Sequence, residues 1–115
     1  RLLGLKKKFH IFNHSEYDCK IVVSPGEITN LSCIKLGPAE FNMTYDAPGE
    51  STQDTNLLAN SMRKIYTSTR DNYITLFVRV EDKWIILFKN KRHSVSKDFN
   101  IFARHIEEAM LNVHS

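Results

Sequence analysis

Between Tyr73 and Lys89 the chain reads YITLFVRVEDKWIILFK. Ile74, Leu76, Val78 and Val80 alternate with Tyr73, Thr75, Phe77 and Arg79, a period of two that puts the sets on opposite faces of a strand. Both sets are largely apolar as far as Arg79, and the returning run from Trp84 to Phe88 is apolar throughout. A strand that is apolar on both faces is usually central and covered on each. The pattern predicts a hairpin at the middle of a sheet, turning at Glu81-Asp82. Its side chains are expected to be core, with Trp84 and Tyr73 the ones suited to line a binding face.

Shorter runs of the same kind precede it. Phe9 to Phe12 (FHIF), Cys19 to Val23 (CKIVV) and Ile28 to Leu36 predict three strands, separated by Asn13-His14-Ser15-Glu16 and Ser24-Pro25-Gly26-Glu27. Phe41, Met43 and Tyr45 alternate and predict a short fourth strand. Asp46 to Thr55 (DAPGESTQDT) is small, polar and acidic, and predicts a mobile loop.

Two segments change period. Leu58, Met62 and Ile65 recur at helical spacing with Tyr66 beside them, and Asp54 or Thr55 offers an N-cap. This predicts a helix over Asn56–Thr67. Near the C-terminus Phe99, Phe102, Ala103, Ile106, Met110 and Val113 form an apolar stripe, with Arg104, Glu107, Glu108 and Asn112 mainly opposite. That amphipathic pattern predicts a final helix, capped by Ser96 or Asp98, lying on the sheet. The fold class expected is α+β: a mainly antiparallel sheet of five or six strands, or a partly open barrel, with one helix inserted before the last two strands and another at the C-terminus.

The 115 residues make one domain, with 42% apolar and 25% charged residues, a balance that argues against disorder. No apolar run approaches the roughly 20 residues of a membrane-spanning helix. The chain begins RLLGLKKK, without a methionine or the order of a signal peptide, so an excised domain or a processed product is expected. Cys19 and Cys33 lie on neighbouring predicted strands, where a bridge would need an oxidising compartment. Sequons at Asn13, Asn30 and Asn42 are short patterns that arise readily by chance. An intracellular setting, cytoplasmic or nuclear, is the expectation.

Little in the sequence points to catalysis. His10, His14 and Cys19 are the nearest approach to a metal-ligand set, but they lack helical or C-x-x-C spacing. There are four glycines and no phosphate-binding loop or G-x-S-x-G. No enzyme activity and no cofactor are expected. Charge is uneven: residues 1–58 carry a net −1 and residues 59–115 a net +4. Lys6, Lys7 and Lys8 precede the first strand, and Lys89, Lys91, Arg92 and His93 follow the hairpin. If these two clusters meet, they form a polyanion site, on which Phe9, Phe12, Tyr73 or Phe77 would stack bases. The bland reading is solvated strand ends that resist aggregation.

From Phe9 to Phe88 the predicted order of three strands, a helix and two strands resembles the oligonucleotide-binding barrel, which implies single-stranded nucleic-acid binding. The run CKIVVSPGEITNLSCIKL, the loop DAPGESTQDT, the helix NLLANSMRKIYT and the strand YITLFVRV are similar in order to the small proteasome-assembly chaperones. That resemblance implies pairing with another subunit and no catalytic residues. A pleckstrin-like fold ends in a similar helix but has no slot for the middle one. The function expected is a non-catalytic protein–protein interaction or assembly domain, as a hetero-complex or homo-oligomer. The alternative is a single-stranded nucleic-acid-binding domain using the basic clusters.

Overall fold

The period-two segments become strands, and so does one of the two segments with helical spacing. The computed structural model describes residues 7–35, 41–48 and 51–114. Among them, in chain order, are β1 (Lys7–Asn13), β2 (Cys19–Ser24), β3 (Thr29–Lys35), β4 (Phe41–Asp46), β5 (Gln53–Leu57), β6 (Met62–Thr67), β7 (Asp71–Val80), β8 (Lys83–Ser94), β9 (Phe99–Ile101) and α1 (Ala103–His114).

The strands form three sheets, ordered β6-β1-β9, β5-β2-β7-β8 and β3-β4. All pairs are antiparallel except β1 with β9. Inward residues of the first two sheets share one core: Phe9, Ile11, Ile65 and Ile101 from the three-stranded sheet, and Ile21, Val23, Ile74, Leu76 and Val78 from the four-stranded one. Ile106 of α1 is fully buried in the same cluster. The class is α+β, mostly sheet, with one C-terminal helix.

The β3-β4 ribbon covers the outer side of the four-stranded sheet. Phe41 of β4 packs on Phe77 and Trp84, at ring-centroid distances of 5.0 and 5.3 Å. This explains the two-sided apolar pattern of β7. Its inward set lies against the three-stranded sheet, while Phe77 and Thr75 are buried on the other side. The Glu81-Asp82 turn closes the hairpin with both residues at positive φ (50° and 62°), as in the turns that match strand twist. β8, however, is at the sheet edge and not in its middle.

Three asparagines fasten the places where the chain changes layer. Asn13 is buried and donates from Nδ2 to the carbonyls of Tyr17, Leu57 and Leu58, while its Oδ1 accepts from the N–H and hydroxyl of Ser15. It thereby ties the β1–β2 crossing to the β5–β6 crossing. Asn72, also buried, binds Thr67 and Thr69 at the β6–β7 turn. Asn90, at φ 55°, holds Ile28 beneath the ribbon. Gly26 in the β2–β3 turn lies against Pro48, where a Cβ would sit 2.5 Å from Pro48 Cγ. The glycine there serves close approach.

Two further expectations are corrected. Asn56–Thr67 is not a helix: it is the end of β5, a turn through Asn60 at φ 55°, and β6. The buried residues are Leu57, Ile65 and Thr67, while Leu58, Met62 and Tyr66 are exposed. Phe99–Ile101 is a strand beside β1, so the C-terminal helix begins only at Ala103. The inserted helix required by the barrel and the assembly-chaperone orders is therefore absent, and the described strands close no barrel. Of the expected loop 46–55, Asp46 ends β4, Gln53–Thr55 begin β5, and residues 49–50 lie outside the described residues.

Candidate interaction surface

Strand alternation separates the residues of the second basic cluster. Lys91 pairs with Ile74 and His93 with Asn72, so both fall on the core side of β8, whereas Arg92 pairs with Tyr73 on the outer side. Lys89 is exposed within a register shift between β7 and β8. Three of the four have partners. Arg92 donates to Asp71 at 2.9 Å, and that bond holds its guanidinium above its usual range. His93 donates to the Lys97 carbonyl at 2.7 Å, and Lys91 lies over the Phe88 and Phe99 rings.

The first cluster divides in the same way. Lys7 falls on the Phe9 and Ile11 side of β1 and Lys8 on the opposite side, both exposed. Lys6 lies outside the described residues. The clusters approach through the core, where the His93 ring is 5.1 Å from Phe9. Of the aromatic residues expected to stack on bases, Phe9 and Phe77 are buried.

The outer face of the three-stranded sheet carries an unexpected feature. His10 and Phe12 of β1 and His14 just after it stack in sequence at 5.9 and 5.7 Å, and Phe102 continues the row 5.0 Å from His14. Arg104 lies 4.7 Å from the Phe102 centroid, and His105 meets that ring edge-on. These rings pack against one another in a row, at the centroid distances of offset stacking. The period-two spacing of His10, Phe12 and His14 was the signal for this row. Cys19 is buried in the core, away from these histidines. Among the described residues, no three His, Cys, Asp or Glu side chains are placed to hold a metal ion.

A different group converges on the outer face of the four-stranded sheet, where the ribbon stops. The register gives one row across the strands, Asn56, Lys20, Phe77 and Ile86. In the next, Arg79 pairs with Trp84, and the Arg79 N–H donates to the Asp18 carbonyl at 2.9 Å. Leu58, Asp18, Arg79, Trp84 and Phe41 line a cavity of about 210 Å³ there. Asp18 Oδ1 accepts the Ala59 N–H at 2.9 Å, and Arg79 is paired with Asp82 at 2.6 Å. The Lys20 ammonium lies 5.5 Å from the Phe41 centroid.

Two properties set this surface apart. The Trp84 indole N–H is buried and has no acceptor among the described residues. Leu58 of the cavity wall and Ile86, which follows Trp84 on the same face of β8, are 60% and 44% exposed. The apolar run from Trp84 to Phe88 marked part of this surface in the sequence. Leu58 and Phe41 were not linked to it, because only the ribbon and the β5–β6 crossing bring them there.

The cysteines are not bridged: Cys19 is buried in the core and Cys33 is exposed on the ribbon. Burial, with Asp18 adding to it, pushes the Cys19 thiol up to about 12, and burial raises Cys33 as well. The three sequons also differ, since Asn13 is sealed in the fold while Asn30 and Asn42 are exposed. No described helix is long and apolar enough to cross a membrane. Comparison with protein-family models, curated proteins and solved structures gave no match for this chain.

Proposed function

We propose that this chain is a non-catalytic protein-interaction or assembly module, with its contact surface at the end of the four-stranded sheet. The observation that carries this reading is the pair of exposed apolar side chains, Leu58 and Ile86, beside the Trp84–Phe41 cavity. Interaction sites concentrate their energy in a few aromatic and arginine anchors with apolar surroundings. Here Trp84, Phe41 and Arg79 supply the anchors. The Trp84 indole N–H, which has no acceptor among the described residues, suits a partner that brings one. A reducing intracellular setting belongs to the same proposal, supported by the unbridged Cys19 and Cys33.

The test is a complex recovered with the wild-type domain and lost with Leu58→Asp or Ile86→Asp, with the melting temperature unchanged. A homo-oligomer would appear as concentration-dependent mass in sedimentation. Complexes untouched by both substitutions would overturn this surface.

Single-stranded nucleic-acid binding is the second reading. It is favoured by Lys8 and Lys64, which lie on the outer face of the three-stranded sheet beside the ring row, and by Arg104 at its end. It has less support, because base stacking needs free ring faces. His10, Phe12, His14 and Phe102 already stack in a row with each other.

A further inference from the structure

A second cavity, of about 300 Å³, opens between α1 and the edge strands β8 and β9. Its floor is core: Leu76 and Ile101 are both buried. Phe88 and Phe99 form an aromatic wall, their rings 5.8 Å apart and edge-on. Lys91 stands beside that wall, its ammonium 5.2 and 5.8 Å from the two ring centroids. Glu108 of α1 also borders the cavity. Neither Lys91 nor Glu108 belongs to an ion pair among the described residues.

Opposite charges bordering one cavity that has an aromatic wall and a buried apolar floor favour an occupant that uses both. A hydrocarbon would use neither charge. An apolar monoanion would suit Lys91 and be opposed by Glu108, and an apolar monocation would meet the reverse. A molecule with both charges on one small head and an apolar tail satisfies all three requirements. Size narrows it further, because the volume is at the lower end of the roughly 300–1,000 Å³ usual for ligand pockets. That suits a single amino acid better than a nucleotide or a large cofactor.

We propose that this cavity binds a free α-amino acid with an apolar side chain. Its carboxylate lies beside Lys91, its ammonium beside Glu108, and its side chain against Phe88 and Phe99 over Leu76 and Ile101. The site is separate from the Trp84 surface and does not depend on the interaction reading.

L-leucine and three of its fragments provide the test, titrated into the ¹⁵N-labelled domain. 4-Methylpentanoate lacks the ammonium, 3-methylbutylamine lacks the carboxylate, and glycine lacks the side chain. The readout is the amide shifts of Asn100, His105 and Ala109, which border the cavity. L-leucine should shift these amides saturably, and each fragment should bind about tenfold more weakly or worse. Lys91→Met should reduce L-leucine to the level of the amine, and Glu108→Gln to the level of the carboxylate. Both side chains are exposed, so both variants should keep the wild-type melting temperature. Unmoved amides up to the solubility limit of L-leucine would overturn the site. Binding of 4-methylpentanoate as tight as that of L-leucine would overturn the zwitterion.

Discussion

The side chain of Asn90 and the backbone of Ile28 hold each other by two hydrogen bonds. The Ile28 N–H donates to Asn90 Oδ1 and Asn90 Nδ2 donates to the Ile28 carbonyl, each at 2.9 Å. The carboxamide takes the place of a strand partner and pins the chain entering the ribbon to β8. Asn90 itself has φ 55°, which glycine adopts freely and alanine does not. Asn90→Gly should therefore remove the hydrogen bonds alone, at a cost of about 2 kcal/mol. Asn90→Ala should cost about 1–2 kcal/mol more, for the left-handed backbone. Denaturant unfolding of the two variants measures the difference, and equal losses would show that the backbone conformation contributes nothing.

Asn90 also marks where the sequence is hard to read. Strands β1, β2, β3, β4 and the β7–β8 hairpin were legible from short apolar or β-branched runs bounded by turn signals, with alternation marking β4 and β7. The ribbon's position was not, since it rests on side chains such as Asn90 and Phe41 that are distant in sequence from what they touch. The false helix over Asn56–Thr67 has a specific origin. Leu58, Met62 and Tyr66 are four residues apart and imitate a buried stripe, yet they are 60%, 50% and 47% exposed. Leu57 and Ile65 carry the burial, each on its own sheet. The final helix was legible through Ile106, but Phe102, expected in its buried stripe, is half-buried in the ring row. At the candidate site Trp84 was legible as an aromatic residue in the hairpin, whereas the burial of its indole N–H is a property of the folded arrangement alone.

Asn13 and Asn42 begin identical sequence patterns and should respond in opposite ways to mutation. Asn13→Ala leaves three carbonyls and Ser15 without their partner in a buried corner, and should cost about 3 kcal/mol or more. Asn42 is exposed on the ribbon, and its replacement by alanine should stay within about 0.5 kcal/mol. Thermal unfolding of the pair checks this. A small effect at Asn13 would mean that water replaces the lost amide.

The buried thiol of Cys19 should make the domain sensitive to alkali. Its pKa is raised from the ordinary value near 9 to about 12, so the folded state keeps a proton that the unfolded chain releases. The stability it contributes is complete below pH 9 and is lost as the pH rises towards 12, with a slope of at most about 1.4 kcal/mol per pH unit. Tyr45, raised to about 12 by burial and by its bond to Asp54, adds the same sign of dependence above its ordinary value near 10. Between pH 9 and 10 the slope therefore belongs chiefly to the thiols. Cys19→Ala should flatten it there, at some cost at neutral pH. A wild-type stability constant from pH 8 to 10 would rule out the buried-thiol account.

The divided basic clusters give the nucleic-acid reading a quantitative test. If Lys6, Lys7, Lys8, Lys89, Lys91 and Arg92 all neutralised phosphates on one strand, log K against log salt would fall with a slope of about −4. The fold argues against so steep a dependence. Lys91 and Arg92 lie on opposite faces of β8, Lys7 and Lys8 on opposite faces of β1, and Arg92 is already paired with Asp71. No more than about three of these cations can follow one backbone, which predicts a slope of about −2 or shallower. Fluorescence anisotropy of a labelled single-stranded oligonucleotide across a salt series measures it. In that assay the double variant Arg92→Ala with Asp71→Ala should change little, because it removes a pair whose charges already cancel. A slope near −4 that this double variant makes shallower would require both clusters to act together. The Trp84 surface would then lose its place as the leading site, since the partner would be a polyanion and not a protein.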